Sequence, residues 1–140
     1  MANAVAFTLI TPRAVKFDGE AELVIAVGTE GEVGILPSHA PYLTALRPGV
    51  LRANVRDGAE TRRLELACSE GFLQALPDKI TILADAALEQ DEIDIADARA
   101  DLSAAQEEQR AAGSDLEAWR RAQTKIDFAN ARLAVAHVNA

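Results

Sequence analysis

The residues of this chain that can do chemistry are few, and they crowd into one stretch. EGEVGILPSHAPYLTALRPG, Glu30 to Gly49, holds a serine beside a histidine, two carboxylates, three glycines and three prolines. A hydrolase would use Ser38 as nucleophile, His39 as its base within hydrogen-bond reach, and a third group to orient the imidazole. Adjacent side chains on an extended loop point apart. No Gly-x-Ser-x-Gly elbow frames Ser38, which sits in Leu-Pro-Ser-His-Ala. His39 reads as a polar loop residue that fixes backbone or touches a partner. The run Gly28-Thr29-Glu30-Gly31-Glu32-Val33-Gly34 has the glycines of a phosphate loop, but it carries two carboxylates and no lysine, so it repels phosphate.

Metal chemistry finds no better footing. The two histidines, His39 and His137, lie far apart in sequence, and Cys68 is the only cysteine. No zinc-ligand spacing results. Asp91, Asp94, Asp97 and Asp101 fall on one helical stripe without the Asp-x-Asp-x-Asp-Gly pattern of a calcium loop. They read as a solvated face favoured by a helix dipole. Cys68 alternates with Leu64 and Leu66, which makes it an inert buried thiol. No catalytic constellation survives.

The elements that must position these residues divide the chain near residue 90. Before it, period-two alternation runs through Leu51-Ala53-Val55, Leu64-Leu66-Cys68 and Ile80-Ile82, the mark of half-buried strands. Leu23 to Val27 is apolar on both faces, as a central strand is. Asp18-Gly19, Asp57-Gly58, Glu70-Gly71 and Pro77-Asp78 read as turns. Many short strands predict a sandwich or barrel. After Asp91 proline disappears and alanine becomes dense. Ile95, Ala98, Leu102, Ala105, Gln109 and Ala112 step by three and four. Trp119, Ala122, Ile126, Ala129, Leu133 and Ala136 repeat that stepping beyond Gly113-Ser114. Two helices joined by a short glycine turn make an antiparallel hairpin. Asp91 or Asp94 caps the first helix, and Ser114 or Asp115 the second. Trp119, on the seam, is expected in the hairpin core. The alanine-rich seam buries little area, so the hairpin is expected to be modestly stable and able to pack in more than one way.

Length and charge bound the rest. The 140 residues fit one domain or a domain with an appendage. A net charge of -8 argues against a nucleic-acid partner. Residues 85–114 carry nine acidic and two basic groups, a net of -7, while residues 115–140 carry three acidic and four basic, a net of +1. No run of about 18 apolar residues offers a membrane span, so no direct membrane insertion is expected. The start, Met1 to Phe7, shows neither a basic n-region nor an Arg/Ser-rich presequence, so no leader is expected. A lone cysteine fits a reducing compartment.

The long loop motif now becomes specific. Gly28-x-Glu30-Gly31-Glu32-x-Gly34-Ile35-Leu36-Pro37-x-His39-Ala40-Pro41-x-Leu43-Thr44-Ala45-Leu46-x-Pro48-Gly49 closely resembles the signature of the epsilon subunit family of F-type ATP synthases. Phe17-x-Gly19, Gly71-Phe72-Leu73, Ile82-Leu83-Ala84-Asp85 and the alanine-rich hairpin fall where that family has them, so the resemblance covers essentially the whole chain. It implies a β-sandwich of about ten strands over residues 1–88 and a two-helix hairpin over residues 89–140. It implies a non-catalytic rotor subunit at the cytoplasmic face of the bacterial plasma membrane, coupling the c ring to the catalytic head through gamma. Glu30, Gly31, Glu32, His39 and Pro41 then belong to the c-ring and gamma interface, with Glu32 expected to pair with a basic residue of the ring. Arg120, Arg121, Lys125 and Arg132 read as either a solvated face or one that meets an acidic partner; the resemblance implies that in an extended hairpin they would contact the beta subunit, with alpha a further partner of the hairpin, and restrain ATP hydrolysis. Some members bind ATP through Ile/Leu-Asp-x-x-Arg-Ala. Here Ile95, Arg99 and Ala100 match, but Ala96 stands where the motif has its carboxylate. Asp97 comes one residue late, about 100° round the helix. Weak or no ATP binding is expected, and no other cofactor. The alternative is a free-standing adaptor that docks through its hairpin.

Overall fold

The computed structural model describes residues 4–137. Nine strands are formed among the described residues: β1 (Val5–Ile10), β2 (Val15–Gly28), β3 (Gly31–Ile35), β4 (Tyr42–Leu46), β5 (Gly49–Asp57), β6 (Glu60–Cys68), β7 (Gly71–Leu76), β8 (Lys79–Ala84) and β9 (Ala87–Leu88). A 3-10 turn, Gln90–Glu92, leads into α1 (Ile95–Ala111) and α2 (Leu116–Val135). The expected sandwich followed by a helical hairpin is what the chain builds.

The strands run in the order β1-β8-β7-β4-β2-β5-β6-β9, with β3 added beside β2 and β1 pairing back onto β2. Only β1–β8 is parallel. The fourteen-residue β2 makes the sandwich possible. Its first half pairs with β1, and beyond a register shift between Ala21 and Leu23 it pairs with β5 and β3. A bulge of this kind bends a strand and increases its twist, letting one strand serve two layers. Counted as two pairing segments, β2 brings the nine strands to the ten expected.

The alternating positions deliver the core. Leu51, Ala53, Val55, Leu64, Leu66, Ile80 and Ile82 are all buried, together with Phe7, Leu9, Val24, Ile35 and Leu73. Leu23 to Val27 is central but not buried on both faces. Val24 and Ala26 point inward, while Leu23, Ile25 and Val27 are half-buried.

Asp18-Gly19 corrects the sequence reading. It is no turn but lies inside β2, with Gly19 opposite Phe7. The Phe17 ring folds over the glycine, 3.0 Å from where a Cβ would stand. The same ring lies 5.5 Å from that of Phe7. An aromatic covering a strand glycine supplies the packing that the glycine lacks. Asp57-Gly58 and Pro77-Asp78 do turn the chain, between β5 and β6 and between β7 and β8. Glu70-Gly71 marks a bend where the chain leaves β6 for β7.

In the hairpin, Asp94 caps α1 by accepting the Asp97 N–H, and Asp115 caps α2 by accepting the Ala118 N–H. Gly113, at φ 58°, takes the left-handed step between the helices. The second helix has two buried stripes where the sequence pattern showed one. Ala122, Ile126, Ala129 and Leu133 form the expected seam. Ala131 and Val135 form another, packed on Ala67 of β6 with Val50, Ile93 and Phe128 around them. So the hairpin lies folded on the sandwich, with α2 against β5 and β6. Trp119 departs from its expected place in the hairpin core: it is 42% exposed. It sits in the first turn of α2, where α1 is already ending and little of that helix remains to cover an indole.

Candidate functional site

The stretch from Glu30 to Gly49 folds into two turns joined by β3. Thr29 and Glu30 form the β2–β3 turn, closed by Gly31 at φ 125°, a conformation that L side chains rarely adopt. Glu30 is exposed there. Glu32, one step into β3, forms an ion pair with Arg52 of β5. The carboxylate expected to await a partner's cation is thus already engaged within the chain. Glu30 makes no ion pair among the described residues.

At the far end of β3, Leu36-Pro37-Ser38-His39 forms a β-turn, with the His39 N–H donating to the Leu36 carbonyl at 3.3 Å. Pro37 occupies the second position and Ser38 the third, at φ 66°. This is the type II arrangement, whose third position ordinarily goes to glycine. The Ser38 N–H donates to the Pro77 carbonyl at 3.1 Å, tying this turn to the β7–β8 turn. His39 Nδ1–H donates to the Ala40 carbonyl at 2.6 Å, and the ring stands edge-on to Tyr42. Nδ1 thus fixes the backbone, one of the two roles that the polar-loop reading allowed. Pro41 is exposed just before β4. The five loop residues do not converge on one point. Glu30 and His39 flank the two ends of β3, roughly 13 Å apart along the strand at its usual rise. What they border is an edge: β3 pairs with β2 alone, and Glu32 and Gly34 on it are exposed.

A second surface was not singled out from the sequence. On the outer face of β1, β8, β7 and β4, the register lines up Ile10, Leu83, Phe72 and Ala45. The next row is Thr8, Thr81, Gln74 and Leu43. Phe72 is 58% exposed, Leu83 50% and Leu43 69%. A groove of about 610 Å³ runs beside this face, walled by Ile10, Pro12, Phe72 and Leu83, with Arg47 and Thr124 of α2 at its margin. The signal was present in Phe72-Leu73-Gln74-Ala75-Leu76, where the outward register carries Phe and Leu around a single Gln. Apolar groups on the solvent side of a strand mark a contact surface when they adjoin one another.

The hairpin's four basic residues divide in two. Lys125 pairs with Glu108, and Arg132 pairs with Asp101 at 2.9 Å while lying over the Phe128 ring. Both hold α2 to α1. Arg120 and Arg121 are exposed and make no ion pair among the described residues. Ile95, Arg99 and Ala100 lie exposed on the first turns of α1, as does Ala96. Gln109 donates across the helices to Gln123 at 2.8 Å, and Gln123 donates along α2 to Asp127 at 2.8 Å.

Cys68 and the linker carboxylates serve the structure. Burial pushes the Cys68 thiol up to about 12, in keeping with an inert thiol. Glu89, Asp91 and Glu92 bring carboxylate oxygens within 4.8 Å of one another in the linker. Lys16 Nζ already sits on both Glu92 oxygens at 2.7 and 2.8 Å, so a cation's place is taken by an ammonium. The Glu89 N–H and then Lys16 hold the Glu92 carboxyl below its ordinary value.

Comparison with known proteins gives these surfaces a context. A family model described as ATP synthase, Delta/Epsilon chain, beta-sandwich domain matches residues 4–90. An ATP synthase epsilon chain of Desulforamulus reducens is 38% identical over 120 residues, 86% of this chain and 88% of that one. Another, from an Exiguobacterium species, is 39% identical over 137 residues, 95% of this chain and 89% of that one. Among solved structures, a chain of the Euglena gracilis mitochondrial ATP synthase OSCP/F1/c-ring assembly superposes with a TM-score of 0.77. That match covers 98% of this chain and 83% of the other at 18% identity, a likeness of fold.

Proposed function

Because the chain belongs to the ATP synthase delta/epsilon chain family, we propose that it is the non-catalytic rotor subunit that joins the gamma subunit to the c ring. The observation that carries this reading is a pair of adjoining surfaces on one rigid sandwich. One is the apolar row of Ile10, Leu83 and Phe72, suited to a protein partner buried for good. The other is the β3 edge between Glu30 and the His39–Pro41 turn, polar and stiffly held. A coupling element must transmit torque, and a preformed surface loses less on binding than a flexible one. The apolar row is assigned to gamma and the β3 edge to the ring. Since Glu32 is engaged by Arg52, the carboxylate free to meet a ring cation is that of Glu30.

Residues 1–88 act as the stalk domain and residues 89–140 as a regulatory hairpin. In the folded position the hairpin spends Lys125 and Arg132 on α1. If it extends toward the beta and alpha subunits, those two cations are released to join Arg120 and Arg121. ATP sensing is not supported, because Ala96 places a methyl where the motif Ile95-x-x-x-Arg99-Ala100 needs a carboxylate. The protein acts as a peripheral subunit at the cytoplasmic membrane face. No described helix is long and apolar enough to cross a membrane.

The test is ATP hydrolysis by the assembled synthase with the full chain against one ending at Glu89. Hydrolysis rises on truncation if the hairpin restrains the enzyme. Unchanged hydrolysis with intact assembly removes the regulatory half of the proposal. Loss of gamma and ring from the purified complex on Phe72→Asp supports the coupling half, and full retention refutes it.

A further inference from the structure

We propose that Lys16 and Glu92 form a charge clasp that holds the helical hairpin on the sandwich, so that loosening this one pair frees the hairpin while the sandwich stays folded. Lys16 lies in the first half of β2, and Glu92 ends the 3-10 turn between β9 and α1. They are seventy-six residues apart in sequence, and the ammonium meets both carboxylate oxygens, at 2.7 and 2.8 Å. The Lys16 side chain is only 17% exposed. Glu92 is more open, its side chain 40% exposed, so it is the two-oxygen contact and the cover over Lys16 that make this pair stronger than an open surface pair.

Its position gives it leverage. Glu92 also accepts the Glu89 N–H at 3.0 Å, completing a reciprocal capping box that shapes the turn. The next residue, Ile93, packs with Ala67, Ala131 and Val135 where α2 meets the sheet. Upstream, only two residues of β9 pair with β6. The chain between the sandwich and the hairpin is therefore held by a two-residue ladder, the capped turn and the clasp. Of these, the clasp is the one that ties the turn to a strand of the opposite pairing segment. The hairpin's own apolar contact with the sheet has a small fully buried centre, Ala67, Ala131 and Val135, ringed by the half-buried Val50, Ile93 and Phe128. Two of the three at the centre are alanines, so a single ion pair is not negligible beside them.

The proposal rests on the reading that hairpin docking is reversible. Its test reads docking alone, in the isolated full chain, and so fails independently of any effect on ATP hydrolysis. Ala131→Cys places a thiol under α2, and Cys68 reports opening of the sandwich core. Labelling by a thiol reagent under native conditions then follows hairpin release and sandwich opening separately. Glu92→Gln keeps the acceptor of the capping box and removes only the charge; Lys16→Gln removes the other partner. Each is expected to speed labelling at position 131 about fivefold, with the Cys68 rate unchanged by Glu92→Gln, and the double variant to be no faster than either single. The proposal is overturned if Glu92→Gln changes the rate at 131 by less than about twofold. It is also overturned if Cys68 accelerates in step, or if the two single effects multiply in the double variant.

Discussion

Phe72 and Leu73 are neighbours on β7 with opposite fates, and truncating each to alanine separates binding from folding. Leu73 is fully buried in the sandwich. Leu73→Ala removes packed methyls and leaves a cavity, which costs about 2–5 kcal/mol. Phe72 is 58% exposed. An aromatic side chain buries roughly 150–250 Å² when fully covered, so about 100 Å² of this one remains for a partner. At about 25 cal/mol per Å² that area is worth about 2.5 kcal/mol, or roughly 70-fold in affinity. The rest of the ring, roughly 80 Å², is already covered in the free chain, so Phe72→Ala is expected to cost its stability at most about 2 kcal/mol, less than Leu73→Ala. Urea unfolding of both variants gives the stability, and calorimetric titration with the gamma subunit gives the affinity. If Phe72→Ala destabilised the free chain as much as Leu73→Ala, the outward face would be part of the core and the argument would fail. If gamma bound the Phe72→Ala chain as tightly as the parent, the apolar row would not be its docking surface.

Two smaller perturbations test the local chemistry. Ser38 holds φ 66° at the glycine position of its turn, and its bond to Pro77 is a backbone one that glycine also makes, so Ser38→Gly should relieve about 1 kcal/mol of strain and raise the urea midpoint; a lowered midpoint contradicts the turn assignment. The depressed Glu92 carboxyl contributes stability that is present above its ordinary value of 4.5 and is lost as pH falls through the lowered folded value. Melting curves of the parent and of Glu92→Gln should therefore differ at pH 6 and converge toward pH 3, and a gap that widens in acid would reverse the assigned sign.

Alternation made most of the sandwich readable. Leu64-Leu66 and Ile80-Ile82 could face only one core, and they do. What escaped was any feature set by a neighbour distant in sequence. Gly19 looked like a turn because glycine after aspartate usually is one; the Phe17 ring that makes it a strand residue acts only after β1 and β2 have paired. Ala131 and Val135 were outside the stepping pattern because the seam with α1 accounted for the helical period, and nothing local announces a sheet on the other side. Glu32 looked free because Arg52 lies twenty residues away on a strand whose register the loop motif does not encode. The cap choices between Asp91 and Asp94, and between Ser114 and Asp115, needed only local geometry, and the alternatives were already narrow.

The same contrast bears on how the two halves differ in mechanics. The sandwich core is one cluster of large buried side chains, from Phe7 and Leu9 on β1 and Ile80 and Ile82 on β8 to Leu51 on β5 and Leu66 on β6. Displacing any of them leaves voids that cost several kcal/mol. The hairpin meets the sheet through alanines and one valine, ringed by the half-buried Val50, Ile93 and Phe128. On the proposed function, a rotor needs the first part to resist deformation under torque, and a regulatory arm needs the second to detach at small cost. If both were packed like the sandwich, the arm could not be released. If both were packed like the hairpin seam, torque would be lost in distortion before it reached the catalytic head. The abundance of alanine after residue 91 keeps the apolar contact with the sheet small, which on the proposed reading lets the Lys16–Glu92 pair decide whether the hairpin stays docked, while Lys125–Glu108 and Arg132–Asp101 keep its two helices together.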